Sequence, residues 1–155
     1  MRAGVRLGID VGTVRIGVSR SDPHGMLATP VETVARVRNG DDRRRIAAIA
    51  MELGAIEAIV GLPLALSGAH TASTTDAVDF AEALAAEVDV PVRLVDERLS
   101  TVSAQSALRA SGKGSKAARP VIDQVAATII LQHALDVERA GGRPPGTLVE
   151  PSIGS

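Results

Sequence analysis

A chain of 155 residues with 45% hydrophobic and 23% charged residues is typical of one globular domain with a single core. The absence of cysteine excludes disulfides, zinc-thiolate sites and thiol catalysis. One phenylalanine and no tryptophan or tyrosine exclude modules that stack bases on aromatic rings, and the net charge of −1 does not by itself indicate a nucleic-acid partner.

The first part of the chain predicts an antiparallel meander of three strands. Strand patterns cover residues 5–11, 15–21 and 26–35. Turn residues separate them at Gly12-Thr13 and at Asp22-Pro23-His24-Gly25. Connections this short can join antiparallel strands but cannot form a parallel crossover.

The rest of the chain alternates helices and strands. In chain order the pattern predicts a helix at 43–53 capped by Asp41 or Asp42, a strand at 58–61, a helix at 75–87, a strand at 92–97, and helices at about 101–110 and 122–140. This order predicts an α/β fold with a mixed five-stranded sheet, later strands parallel, and helices on both faces. Residues 1–140 form the predicted domain, and residues 141–155 are expected to be a disordered tail.

An acidic residue interrupts the apolar pattern of the first strand. Alternation puts the apolar side chains on one face and Asp10 on the other, between Gly8 and Gly12. Glycines on both sides let a ligand, a metal or another backbone come close to the carboxylate. The structural alternative is a buried Asp10 bonded to the turn amides of Gly12 and Thr13.

Two further acidic positions are notable for their placement. Asp96-Glu97 ends a predicted strand, where the sites of open α/β sheets lie, although either acid could instead pair with Arg93 or Arg98. Asp123 lies on the apolar face of the last helix, or else caps its start. Three separated segments therefore each bring a carboxylate to where one site could gather them.

Clustered carboxylates repel one another and need protons or cations. Oxygen ligands without cysteine, and with histidines that lack ligand spacing, suit Mg²⁺ or Mn²⁺. Two such ions about 4 Å apart can support phosphodiester hydrolysis. We therefore expect Asp10, one or both acids of Asp96-Glu97, and Asp123 to hold catalytic metal ions.

Basic residues are concentrated in two parts of the chain. From Arg98 to Ile122 no acid occurs, and this stretch contains both lysines of the chain. The predicted phosphate contacts are Arg15, Arg98, Lys113, Lys116 and Arg119. A second cluster between Arg36 and Arg45 is interpreted as a solvated charged face.

These motifs closely resemble the YqgF, or RuvX, family of Holliday-junction-resolvase-like nucleases. The matching segments are Gly8-Ile9-Asp10-Val11-Gly12-Thr13, Arg15-Ile16-Gly17-Val18, Val60-Gly61-Leu62-Pro63-Leu64, Asp96-Glu97-Arg98-Leu99-Ser100-Thr101, and Lys116 followed by Asp123, Ala126-Ala127 and Ile130-Leu131. The resemblance spans residues 8–131 and implies a ribonuclease H-like fold with three catalytic acids, which map onto Asp10, Glu97 and Asp123.

The resemblance also implies an activity, the processing of the small-subunit (16S) ribosomal RNA precursor by a metal-dependent nuclease. The alternative is cleavage of four-way DNA junctions, but Ala126 stands where resolvases carry a fourth ligand. Ala65 replaces an asparagine that many family members have, so loop contacts there are not transferred.

Two other classes of protein remain alternatives. Asp10-Val11-Gly12-Thr13 also resembles the first phosphate loop of actin-like ATPases, but the chain is long enough for only one of their two domains. A non-catalytic nucleic-acid-binding protein is the third class. The sequence further predicts a cytoplasmic location, since it has neither an apolar signal region nor a membrane span, and it permits a homodimer on a two-fold symmetric substrate.

Overall fold

The computed structural model describes residues 1–99 and 119–151 of the chain. Within these residues the strands are β1 Arg6–Val11, β2 Arg15–Ser21, β3 Ala28–Ala35, β4 Glu57–Leu62, β5 Val92–Asp96 and β6 Thr147–Leu148. The helices are α1 Asp41–Leu53, α2 Ala72–Glu87 and α3 Arg119–Gly141, and a 3-10 turn covers Glu97–Leu99. The helix predicted at 101–110 lies outside the described residues.

The strands form one mixed sheet in the order β3-β2-β1-β4-β5-β6. The meander β1-β2-β3 is antiparallel, and β1, β4 and β5 are parallel to one another, as predicted. The predicted count of five strands is corrected to six by β6, which pairs antiparallel with β5. The sequence did not predict β6, because its two residues are too few to give a periodic signal. Part of the segment expected to be a disordered tail is instead ordered, because β6 pairs with β5 and Val149 is buried.

The two helix starts on one face of the sheet are built differently. The expected cap of α1 by Asp41 or Asp42 is wrong, because Gly40 occupies the N-cap without a side-chain bond and both acids lie in the first turn. Helix α2 begins with a capping box, in which Thr71 and Thr74 exchange bonds. Thr74 also donates a hydrogen bond to the Pro63 carbonyl, which fixes the start of α2 beside the end of β4.

Two hydrophobic clusters cover the two faces of the sheet. One joins alternate residues of β1, β2 and β4 to α1 and α2, and the other joins Ile59 and Val95 to α3. On the α3 face, glycines without side chains let the helix pack close to the sheet, because a methyl group at Gly8 or Gly17 would overlap α3. At Gly8, one of the two glycines that flank Asp10, the expected close approach of another backbone is therefore made by α3.

The amino ends of β1 and β4 carry a buried group of ion pairs, which we call the amino-end cluster. It consists of Arg2, Arg6, Glu57, Arg93 and Glu138. Its carboxylates are buried and accept guanidinium hydrogen bonds: Arg6 reaches Glu138 at 2.9 Å and Arg93 reaches Glu57 at 2.8 Å. The cluster ties the chain start and the end of α3 to the sheet.

Candidate active site

The carboxyl ends of β1, β4 and β5 meet at one edge of the sheet, where a pocket of about 180 Å³ opens. Its lining includes Asp10, Thr13, Pro63, Ser73, Asp76 and Glu97. We call this the acid pocket. It lies where ligand sites of parallel sheets are expected, and it brings together two of the three predicted catalytic acids.

Asp10 reaches the pocket from the second-last position of β1, just before the hairpin to β2. Its side chain is buried, with only 7% of the residue exposed. The hairpin is closed by the Gly12 amide, which donates to the Arg15 carbonyl at 2.9 Å. This amide therefore holds the turn that presents Asp10.

Glu97 reaches the pocket from the 3-10 turn that follows β5. Its Oε1 lies directly over Gly61 of β4, where a methyl group would overlap it. The neighbouring Asp96 is instead paired with Arg98 at 2.7 Å, and hydrogen bonds from the Arg98 side chain lower the pKa of Asp96 below its usual value. The structure thereby separates two adjacent acids that the sequence alone leaves equivalent.

Asp123 lies beside the acid pocket but is held by an arginine. It is the fifth residue of α3 and 4% exposed, so it projects from the packed face of the helix and is not the helix cap. Arg15 Nε contacts its Oδ2 at 2.9 Å. The Asp123 backbone packs on Gly17, and Gly17 is the cross-strand partner of Asp10, so the two acids lie on the same face of the sheet.

A third acid, Asp76, lines the pocket with Asp10 and Glu97, and the sequence pattern did not indicate it. Asp76 comes from the second turn of α2 and pairs with Arg36 at 2.6 Å. Its signal in the sequence was weak, because an acid early in an amphipathic helix is ordinary. Only the position of α2 beside Pro63 brings Asp76 to the carboxyl ends of the strands.

The donor chemistry fits Mg²⁺ or Mn²⁺, but with fewer ligands in place than predicted. Within residues 1–99 and 119–151, no three acidic or histidine side chains are grouped closely enough to hold a metal ion. Mg²⁺ commonly binds through one or two carboxylates and completes its shell with water and substrate phosphate. Asp10 and Glu97 in one pocket satisfy that requirement.

The structure describes the contacts of only two of the five predicted phosphate-binding residues. Arg15 and Arg98 both lie near the pocket, and both are paired with carboxylates, Asp123 and Asp96. Arg119 begins α3. Lys113 and Lys116 lie outside the described residues, so their assignment stays a prediction.

A meander followed by two parallel strands, with acids at the strand ends, defines the ribonuclease H-like class of nuclease folds. The chain belongs to the RuvX family, whose profile, described as Holliday junction resolvase, matches residues 4–137. This membership confirms the family and the nuclease class that the motifs predicted.

Relatives and a solved structure agree with this membership. A Leifsonia xyli subsp. xyli protein, named as a proposed pre-16S rRNA nuclease, is 75% identical over 99% of both chains. A Mycobacterium leprae protein of the same name is 57% identical over 98% of this chain and 82% of its own. The structure of Thermus thermophilus RuvC in complex with a Holliday junction substrate superposes with a TM-score of 0.54, at 19% identity over 91% of this chain and 99% of that one, and so shows the fold.

The helices in the part of the chain that the structure describes were compared with what a membrane span needs. None of its helices combines the length and the apolar character that spanning a bilayer requires.

Proposed function

We propose that the chain is a divalent-metal-dependent nuclease that hydrolyses phosphodiester bonds in the precursor of small-subunit (16S) ribosomal RNA. The observation that carries the proposal is the convergence of Asp10 and Glu97 in one pocket at the carboxyl ends of parallel strands. The substrate is supported by the names of relatives that are similar over nearly the whole chain.

Asp10 and Glu97 would hold the metal, with Mg²⁺ or Mn²⁺ the ions their oxygens favour. The bound ion would polarise the scissile phosphate and lower the pKa of a coordinated water. Asp123, which pairs with Arg15 in the structure, would be the third residue to hold the ion, and Arg15 would contact a substrate phosphate. Arg98, next to Glu97, is the second proposed phosphate contact in the described residues, joined by Lys113, Lys116 and Arg119 along the chain.

The experiment is a cleavage assay with Mg²⁺ or Mn²⁺ in which a ribosomal RNA precursor fragment and a four-way DNA junction are compared. Wild type is tested beside Asp10→Asn, which removes the charge of Asp10 with little change of shape. Asp79→Asn is the matched control, because it removes an exposed charge of α2 that does not line the acid pocket. We expect RNA cleavage by wild type and Asp79→Asn, and a loss of at least about 100-fold in Asp10→Asn.

Other outcomes would change the proposal in defined ways. Symmetrical cutting of the junction instead of the RNA would favour a resolvase, the activity in the description of the family profile. A resolvase activity would have to proceed without an acid at position 126, because the residue there is an alanine and is fully buried. Cleavage of neither substrate, or equal cleavage by Asp10→Asn, would overturn the assignment of a catalytic site.

A cytoplasmic location and a homodimer belong to the same proposal. The location follows from the substrate, because bacterial ribosomal RNA is processed where it is transcribed. The dimer follows only if the substrate has two-fold symmetry. Sedimentation of the protein with and without the four-way junction tests it, and a single copy bound per junction would contradict it.

A further inference from the structure

A second and larger cleft, of about 680 Å³, adjoins the acid pocket. The two share Thr13, Ser73 and Asp76, so they form one continuous depression. Arg36, Arg38 and Arg43 line its far part, and we call it the arginine cleft. It combines the segment after β3, the start of α1 and the start of α2. Of the predicted site residues whose side chains the structure describes, none lines it.

Arg36 forms a fixed wall between the acid pocket and the cleft. Its Nη1 donates to the Gly12 carbonyl at 3.1 Å and to Asp76 at 2.6 Å. The guanidinium also lies over the Phe80 ring, 5.4 Å from its centroid. These contacts hold a positive charge beside the hairpin that carries Asp10.

Arg38 and Arg43 differ from their neighbours in having no carboxylate partner. Neither forms an ion pair within residues 1–99 and 119–151, and the Nε of Arg43 is buried without a hydrogen bond. Arg44 and Arg45, on the same helix, are paired with acids outside the cleft. The basic cluster between Arg36 and Arg45, interpreted from the sequence as a solvated face, therefore has two sides. On the side that lines the cleft, two arginines have no ion-pair partner among the described residues.

The two acids in the cleft do not fully cancel the charge of its three arginines. Asp42 is buried, and its carboxylate accepts the backbone amides of Val37 at 3.3 Å and Arg43 at 2.7 Å. Asp76 is occupied by Arg36. The starts of α1 and α2 both border the cleft, which adds the positive ends of two helix dipoles. The cleft therefore favours an anionic ligand.

We propose that the arginine cleft binds the phosphodiester backbone of a single-stranded RNA segment next to the bond that is cleaved in the acid pocket. The proposal rests on the proposed nuclease function and extends it. The cleft has the volume of a small-ligand pocket, so it accommodates a short stretch of one strand and not the width of a duplex. Its guanidiniums recognise phosphate, and it offers no aromatic side chain for stacking on bases.

The first test measures binding without catalysis. Fluorescence anisotropy of a labelled single-stranded RNA oligonucleotide is recorded in metal-free buffer over a series of salt concentrations. For the double variant Arg38→Gln/Arg43→Gln we expect the dissociation constant to rise about 10-fold or more. The slope of log affinity against log salt should become shallower by about 1.4, since each lost contact on a single strand removes about 0.7.

The matched control is Arg44→Gln/Arg45→Gln, which removes the same two charges from the same helix outside the cleft. A markedly smaller change in this control supports the cleft, and equal weakening by both double variants would overturn it. Wild type that cleaves RNA while Arg38→Gln/Arg43→Gln binds normally would refute the cleft and leave the proposed function standing. If wild type cleaves neither substrate but Arg38→Gln/Arg43→Gln still loses RNA binding, the proposed function is refuted and the cleft stands as an RNA-binding site.

The second test locates the strand. Because the chain has no cysteine, Val37→Cys and Met51→Cys each introduce a single thiol at an exposed position, the first in the cleft and the second outside it. Each thiol is labelled with a photoactivatable cross-linker. We expect position 37 to cross-link to nucleotides next to the cleaved bond, whereas absence of this cross-link or equal cross-linking from position 51 would contradict the proposed path.

Discussion

The two ends of β1 bury acidic side chains in opposite ways. At the amino end Glu138 is 3% exposed and is surrounded by Arg2 and Arg6. At the carboxyl end Asp10 is 7% exposed, yet it faces a pocket that also contains Glu97. Burial of a carboxylate is thus no evidence of function in itself. The distinguishing feature is whether arginines close the site or a pocket leaves room for a cation and a substrate.

The largest expected effect is on stability and comes from the amino end. Glu138→Gln leaves the buried Arg6 guanidinium without its charge partner, so we expect the free energy of unfolding to fall by about 3 to 5 kcal/mol. Urea unfolding measures it. Cleavage by the folded fraction should match wild type, whereas Asp10→Asn should lose cleavage and keep its stability. Loss of activity in folded Glu138→Gln would remove the contrast between the two ends.

A second prediction concerns pH. Burial raises the pKa of Glu138, but hydrogen bonds from Arg2 and the charges of Arg6 and Arg2 outweigh it and lower the pKa from 4.5 to about 2. The folded state therefore binds the proton less tightly than the unfolded chain, so the contribution is complete above about pH 4.5 and is lost as the pH falls towards 2. We expect this group to account for about 3 kcal/mol of acid destabilisation.

Urea unfolding between pH 2 and pH 6 measures this contribution. Glu138→Gln should show a correspondingly shallower fall in stability with decreasing pH. Parallel curves for the two proteins would show that Glu138 does not titrate as its arginine contacts require.

A third prediction acts on the carboxyl end. The added methyl of Gly61→Ala overlaps Glu97 Oε1 and lies 2.6 Å from Ile130 Cδ1, so we expect a loss of about 1 to 3 kcal/mol together with reduced cleavage. Gly141→Ala is the control, because a methyl group there meets nothing within 4 Å. Unchanged cleavage in Gly61→Ala would show that the position of Glu97 is unimportant.

The smallest expected effect comes from an exposed ion pair. Arg98→Gln removes the partner of Asp96, and we expect less than about 1 kcal/mol of lost stability. Asp96 should return towards its ordinary pKa, which carboxyl NMR titration measures. If Arg98 contacts phosphate, KM rises while kcat is retained. A fall in kcat alone would instead indicate that Arg98 positions Glu97.

Local patterns were enough to predict most of the fold. Alternation defined β1, and the short turns at Gly12-Thr13 and before β3 required an antiparallel meander. Small β6 was missed because its two residues are stabilised by pairing with β5 and not by their own pattern. The cap of α1 was wrong because Gly40, in a left-handed conformation, takes the position expected for an aspartate.

The sequence by itself determined which acids to consider, because an aspartate between glycines in a strand, and acids at the next strand end and on a packed helix face, are local and periodic signals. Only the tertiary structure decided their surroundings: Asp10 and Glu97 in one pocket, Asp123 held by Arg15, and Asp76 added from α2. Ion pairing and pocket shape depend on contacts between residues far apart in the chain. Such contacts leave no periodicity in the sequence, so the arginine cleft too became visible only when the segment after β3 and the starts of α1 and α2 were assembled.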